Sequence, residues 1–152
     1  MKLARDDALA RLVAADHAIL CTVHPERGVD AVPCAFAIDG DGFVGIPVDR
    51  VKPKSSNRLQ RERNLESDSR ATLLVEQWDK DDWSRLWWVR ARLVSVREAT
   101  AEREEGLAAL LAARYEQYRD RPFDRIRVLR VIEVTGWAAS LNAPDHPDPQ
   151  GA

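Results

Sequence analysis

Residues 48–63, VDRVKPKSSNRLQRER, are the most informative stretch of this chain, because they concentrate positive charge between a strand-like segment and a helix-like one. Between Arg50 and Arg63, six cations face a single anion, Glu62, so this segment has a net charge of +5 in a chain whose net charge is −2. Backbone N–H groups, a helix N-terminus and cations in one place favour a phosphate group. We therefore interpret the segment as an anion-binding site, and we call residues 50–58 the basic loop.

The order of residues within the basic loop supports this interpretation. Lys52 and Lys54 flank Pro53, which restricts the backbone ahead of three side chains that can bond anionic oxygens or cap a helix: Ser55, Ser56 and Asn57. The same charges would also suit a solvated helix face whose arginines pair with Glu66 and Asp68. The proline and the three polar side chains favour the binding site.

Length and composition set the outer limits. A chain of 152 residues that is 45% hydrophobic predicts one domain, over residues 1–141, and the proline-rich residues 142–152 are expected to be disordered. No apolar run approaches the ~20 residues of a membrane helix, and no signal peptide is recognisable, so we expect a cytoplasmic protein with no membrane partner. Cys21 and Cys34 are expected to be buried free thiols.

The hydrophobic pattern predicts mostly strands. Helical spacing indicates a helix over residues 4–15, and a second helix is expected from an N-cap at Thr100 to about Tyr118, with Leu107, Leu110 and Leu111 buried. Strands are predicted at residues 19–23, 29–38, 43–48, 71–78, 86–96 and 127–138, with hairpin turns at residues 25–28 and 39–42. Strands in close succession with two or three helices favour a small antiparallel barrel flanked by helices.

Several kinds of chemistry lack their parts. His17, His24 and His146 lie far apart in the sequence, so no metal site is predicted. The glycine motifs of a nucleophile elbow, a P-loop and a Rossmann fold are absent, and no catalytic side chain can be named. An enzyme of this kind would take its chemistry from a cofactor. Near-neutral charge argues against a nucleic-acid partner, although a basic run near tryptophans leaves that alternative open.

Seven segments carry a resemblance to a known family: AILCTV (18–23), VPCAF (32–36), GFVGIPV (42–48), KPKSSNRL (52–59), SRATLLVEQW (69–78), WWVRARLV (87–94) and VIEVTGWAAS (131–140). In this order they resemble the pyridoxamine 5′-phosphate oxidase-like split β-barrel proteins, and within them the branch that uses the deazaflavin coenzyme F420. The resemblance implies a mainly β (α+β) fold, a six-stranded antiparallel split β-barrel of the FMN-binding type with flanking helices.

The resemblance also implies a cofactor site. The phosphate would lie on the basic loop, the ring along two strands, and an aromatic side chain, Trp88, would cover it with help from a dimer mate. Arg50, Arg58 and Arg61 would serve the acidic tail of F420, because guanidinium groups match carboxylates. The cofactor-binding residues expected on this basis are Pro33, Ala35, Phe36, Ile46, Pro47, Val48, Arg50, Lys52, Lys54, Ser55, Ser56, Asn57, Arg58 and Trp88.

The function implied is that of an oxidoreductase in which reduced F420 transfers a hydride to a small organic acceptor. Two alternatives stay open: an FMN-binding oxidase or reductase on the same barrel, and a protein that binds F420 or another anionic ligand without turnover. A homodimer is expected through residues 86–96, because this strand carries large apolar side chains on both faces.

Overall fold

The computed structural model describes residues 1–49 and 59–140, so the basic loop and the tail expected to be disordered lie outside the described residues. The helices are α1 (Arg5–Ala14), α2 (Gln60–Ser67) and α3 (Ala101–Arg114). The strands are β1 (Ala18–His24), β2 (Gly28–Cys34), β3 (Ala37–Ile38), β4 (Phe43–Asp49), β5 (Arg70–Gln77), β6 (Trp87–Ser95) and β7 (Phe123–Ala138). Each long strand lies within a few residues of its predicted position.

The strands form one antiparallel sheet in the order β2-β1-β5-β6-β7-β4-β3. Its two outermost strands, β2 and β3, are separated in the chain by Ala35 and Phe36 alone. The two ends of the sheet therefore meet, and the sheet curls on itself as a split barrel does. The expectation of six strands is corrected to seven.

The additional strand comes from a break in the segment 29–38, which was predicted as a single strand. The backbone N–H of Phe36 donates to the hydroxyl of Tyr115 at 3.3 Å, and that hydroxyl donates to the carbonyl of Asp16 at 2.7 Å. The Phe36 side chain is fully buried in the core. A side-chain hydroxyl thus replaces the neighbouring strand at this point, and the chain turns from β2 into β3.

Strand β7 joins the two halves of the barrel. It is 16 residues long; its first half pairs with β4 and its second half with β6, and Arg130 lies opposite both Phe43 and Val94. A bulge at Ile132, between the pairs Arg92–Glu133 and Leu93–Val131, lies within the β6 pairing, two residues beyond the last residue that pairs with β4.

Two clusters of buried side chains hold the elements together. The main core fills the barrel and includes Leu12 of α1, Leu20 of β1 and Ile46 of β4. A smaller cluster lies under α3 and includes Leu111 and Tyr118. Leu107 and Leu111 are buried as predicted, whereas Leu110 is 40% exposed, because α3 is packed through the face that carries Leu107, Ala108 and Leu111.

The predicted Thr100 cap and the predicted turn at residues 39–42 are confirmed. The Thr100 hydroxyl accepts from the backbone N–H of Arg103 at 3.1 Å and caps α3. Asp39 accepts from the N–H groups of Asp41 and Phe43, each at 2.9 Å, and so closes the turn into β4.

Cys34 is a buried free thiol as expected, but Cys21 is only half-buried. None of the described helices is long and apolar enough to cross a membrane.

Candidate functional site

The strand residues expected to wall a cofactor ring lie at the ends of β2 and β4. Pro33 is exposed and Ala35 is half-buried, whereas Pro47 is buried. The side chains of Phe36, Ile46 and Val48 are also expected ring contacts, but they are at most 1% exposed and belong to the core. A bound ring could meet these three residues only through their backbone, so the accessible part of the predicted wall is Pro33 and Ala35.

The seven polar residues of the predicted site, Arg50, Lys52, Lys54, Ser55, Ser56, Asn57 and Arg58, belong to the basic loop and lie outside the described residues. The described chain stops at Asp49, the end of β4, and resumes at Leu59, just ahead of α2. The described residues that flank the basic loop are therefore Asp49 and Leu59.

Arg61 of α2 is turned toward the end of β4. Its Nη2 donates to the carbonyl of Pro47 in β4 at 2.7 Å. Burial raises the pKa of the Cys34 thiol in β2 to about 11, and the positive charge of Arg61 opposes that rise. The guanidinium of Arg61 is therefore bonded to the end of β4, and its charge acts on the buried thiol at the end of β2.

The remaining polar side chains of α2 anchor the helix to the barrel. The carboxylate of Glu62 is 2% exposed and accepts from Arg125 of β7 through both oxygens, at 2.8 and 2.6 Å. Glu66 accepts from Arg127, two residues further along the same strand, at 3.2 Å. Asp68 pairs with Arg70 at 2.7 Å. The carboxylates expected to neutralise a basic helix face thus contact arginines of β5 and β7.

On its other side α2 is held to β1 and β2 by a buried amide. Nδ2 of Asn64 donates to the hydroxyl of Thr22 and to the carboxylate of Asp30, both at 2.9 Å. Arg27 donates two hydrogen bonds to Asp30, and together with Asn64 it lowers the pKa of that carboxyl to about 2. Helix α2 therefore bridges the β1–β2 hairpin and the β4–β7 pair, which are the two sides of the split.

Trp88, the aromatic side chain expected to cover the ring, lies on β6 and not at the ends of β2 and β4. In antiparallel pairs, opposite residues point to the same face, so the row Pro33, Ile19, Leu74 and Arg90 runs across the outer face of β2, β1, β5 and β6. Three strand spacings of about 4.8 Å separate Pro33 from Arg90, roughly 14 Å in all. Trp88, two residues before Arg90, shares that face but is too distant to cover a ring at Pro33 of its own chain.

Sequence reasoning missed two features. A cavity of about 230 Å³ lies between the end of α1 and the rim of the barrel, with Trp87 and the largely buried Arg11 among its lining residues. The guanidinium of Arg11 stacks over Trp87, 4.9 Å from the ring centroid. The inward direction of Arg61 was also missed, because an arginine in a basic run gives no sign of which way its side chain turns.

Among the described residues, no three His, Cys, Asp or Glu side chains are grouped to hold a metal ion.

A comparison with protein-family models found no match, and a search of curated proteins found none either. Solved structures do match. A conserved hypothetical protein of Mycobacterium tuberculosis has a TM-score of 0.68 at 17% identity, over 99% of this chain and 94% of that one. A FAD-binding protein of Mesorhizobium loti has a TM-score of 0.59 at 12% identity, over 90% and 93%. A heme storage protein of Vibrio cholerae has a TM-score of 0.61 at 14% identity, over 88% and 94%.

These identities are too low to transfer an activity to this chain. The matched proteins also differ among themselves, since one is FAD-binding and another stores heme. What they share with this chain is the course of the backbone over almost its whole length. The chain therefore shares the fold of these proteins, an antiparallel sheet that curls on itself as a split barrel.

Proposed function

We propose that the protein is an oxidoreductase that binds reduced coenzyme F420 and transfers a hydride from it to a small organic acceptor. The observation that carries this proposal is the bond from Arg61, in the first turn of α2, to the carbonyl of Pro47 near the end of β4, which joins the two elements that flank the basic loop. The basic loop leaves β4 and enters α2, so both of its ends belong to this junction. An anion held by the loop would have its attached ring system beside Pro33 and Ala35.

The number of cations supports F420 over FMN. FMN brings one phosphate, whereas F420 brings a phosphodiester followed by a lactyl group and several glutamates. The basic loop holds four cations, Arg50, Lys52, Lys54 and Arg58, which is more than one phosphate needs. Arginine matches carboxylate geometry in two-bond pairs, so Arg50 and Arg58 suit the tail and the two lysines suit the phosphodiester.

The chemistry of hydride transfer would come from the bound deazaflavin, and the chain would contribute position and exclusion of water. The lysines and hydroxyls of the basic loop would anchor the charged end. The exposed Pro33 and half-buried Ala35 would bound one side of the ring. The other side would be covered by Trp88 of a second protomer, since Trp88 of the same chain lies on the third strand from Pro33, roughly 14 Å away across the sheet by strand spacing alone.

The deciding experiment is a side-by-side titration of the protein with F420 and with FMN, followed by tryptophan fluorescence. F420 is expected to bind more tightly. Equal or tighter binding of FMN would exclude the F420 assignment and favour the FMN-binding alternative. Tight F420 binding with no oxidation of the reduced coenzyme by a panel of organic acceptors would favour a binding protein without turnover.

A single substitution tests the basic loop itself. Lys54→Ala is expected to weaken F420 binding by about 1.5 to 3 kcal/mol, the range for a lost hydrogen bond to a charged group. Lys80→Ala is the matched control, because Lys80 is an exposed lysine paired with Asp81 in the loop between β5 and β6. Unchanged affinity in a folded Lys54→Ala variant would remove Lys54 from the site.

A further inference from the structure

The side chain of Arg61 is turned into the protein. One of its terminal nitrogens donates to the Pro47 carbonyl at 2.7 Å, and its Nε is buried with no hydrogen-bond partner in the described part of the chain. Its neighbour on α2, Arg63, is exposed. Two arginines of the same basic helix therefore have different surroundings, and Arg61 is the one directed at the barrel.

The bond to Pro47 stabilises a weak point of the sheet. Strand β4 pairs with β7 along its whole length, but β3 covers its other edge only opposite Val44 and Gly45. Pro47 lies beyond that cover and has no N–H, as expected for a proline on an open strand edge. Its carbonyl is an acceptor on a buried residue, and such groups are costly unless they are bonded. Arg61 supplies the bond that a neighbouring strand would otherwise make.

The positive charge of the same guanidinium is felt on the other side of the split. Its charge acts on the Cys34 thiol at the end of β2, next to Pro33 and Ala35. Arg61 is thus bonded to the open edge of β4 and acts electrostatically on the end of β2. A displacement of the β4 edge would break the bond between Arg61 and Pro47.

We infer that Arg61 is a positioning residue, which fixes the open edge of β4 against the end of β2 and so sets the wall on which the cofactor ring rests. This inference rests on the proposed function, and it replaces the expectation that Arg61 contacts the acidic tail of F420. A group that acts through the ring wall affects every ligand that carries the ring. A group that binds the tail affects only ligands that carry the tail.

The first test needs no cofactor. Amide hydrogen exchange is measured on the Arg61→Ala, Arg61→Lys and Arg63→Ala variants, with the β4–β7 pair Val48–Arg125, next to Pro47, as the reporter. Arg61→Ala is expected to speed exchange at Val48 and Arg125 about tenfold. Arg61→Lys, which keeps one donor for the Pro47 carbonyl, should restore part of the protection, and Arg63→Ala should change nothing. Unchanged exchange in Arg61→Ala would overturn the inference.

The second test compares two deazaflavins, F420 with a long glutamate tail and the tailless precursor that carries the ring and the ribityl chain without phosphate. Arg61→Ala is expected to weaken both by the same factor, about tenfold. A loss confined to F420, or one that grows with tail length, would show a tail-binding residue and overturn the inference. Unchanged affinity for both in a less stable variant would show a purely structural role and overturn it too.

The two tests separate this inference from the proposed function. If the unmutated protein binds neither deazaflavin, the proposed function is wrong, and hydrogen exchange alone decides whether Arg61 fixes the β4 edge. If the unmutated protein binds both, the proposed cofactor is supported, and the comparison of the two ligands decides the role of Arg61.

Discussion

Glu62 of α2 and Arg125 of β7 form a two-bond ion pair in which the carboxylate is almost fully buried, whereas the guanidinium is 37% exposed. The pair joins the helix that bridges the split to the strand that runs through both halves of the barrel. A buried charge that loses its partner costs several kcal/mol, because the remaining ion stays desolvated. Loss of this pair should therefore weaken the attachment of α2 to the barrel.

Arg125→Met is expected to lower the free energy of unfolding by about 3 kcal/mol, since it leaves the Glu62 carboxylate buried without this partner. Urea denaturation followed by circular dichroism measures the change. Arg127→Met is the matched control on the same strand. Its partner, Glu66, is 48% exposed, and a pair of that kind contributes at most about 1 kcal/mol. Equal losses in the two variants would contradict the importance assigned to burial of Glu62.

Gly45 and Gly106 are expected to respond to alanine in opposite directions. A Cβ at Gly45 of β4 would lie 2.9 Å from Cβ of Leu107 and 3.2 Å from Cγ2 of Ile126, so α3 would have to move away from the sheet. Overpacking of this kind costs about 1 to 3 kcal/mol. A Cβ at Gly106, within α3, would meet nothing within 4 Å. Alanine at position 106 should raise the free energy of unfolding by about 0.5 to 1 kcal/mol, because glycine is unfavourable inside a helix.

Thermal unfolding of the two alanine variants measures the difference. Gly45→Ala should melt at a lower temperature than the unmutated protein and Gly106→Ala at a higher one. A destabilised Gly106→Ala variant would mean that the outer face of α3 is in contact with something else.

Most of the strands were predictable, because their alternation of apolar and polar residues is a local signal. In β6, Trp87, Val89, Ala91 and Leu93 are buried, while Arg90 and Arg92 are exposed, as the period of two requires. The break that creates β3 was not predictable in this way. It depends on the hydroxyl of Tyr115, which lies 79 residues from Phe36 in the chain.

The candidate site divides along the same line. Anion binding by the basic loop could be predicted from the sequence, because the residues that suggest it are neighbours in the chain. It remains a prediction. Which ring-wall side chains face outward depends on how the barrel closes, and Ile46 and Val48 turn out to be core residues. The inward turn of Arg61 depends on an unpaired carbonyl of another strand, and no local pattern records it.

The carboxyl of Asp30 should titrate at unusually low pH. Its folded pKa of about 2 lies below the value of about 3.9 in an unfolded chain, so ionised Asp30 stabilises the fold at neutral pH. That contribution is present above about pH 4 and is lost as the pH falls toward 2. Carbon-detected NMR of the carboxyl groups measures the midpoint directly.

Asn64→Ala tests the cause of this shift. The substitution removes one of the two hydrogen-bond partners that lower the Asp30 pKa, so the midpoint should rise toward its unfolded value. Asp68 serves as the internal control, because Arg70 holds its pKa at about 2 and Asn64 takes no part in that contact. A midpoint for Asp30 that stays near 2 in Asn64→Ala would assign the whole shift to Arg27.

The outer face of β5, β6 and β7 should form a homodimer interface. Trp88 lies there between Glu76 and Trp137, and its ring is 5.6 Å from the guanidinium carbon of Arg90. Trp137 and Ile132 of β7 are exposed on the chain alone, at 36% and 55%. Exposed tryptophans and isoleucines on one face of a sheet are typical of a surface that another protein covers. The same arrangement would bring Trp88 to the cofactor of the second protomer.

Trp88→Ala is therefore expected to weaken dimer formation and cofactor binding together, each by at least tenfold, because buried tryptophans dominate interfaces of this type. Sedimentation equilibrium over the micromolar range measures the first change, and the fluorescence titration measures the second. Leu110→Ala is the matched control: Leu110 is also a partly exposed apolar residue, but it lies on α3, away from this face. An unmutated protein that sediments as a monomer at micromolar concentration while still binding the cofactor would show that this face is not the interface, and Trp88 would then have no route to the ring.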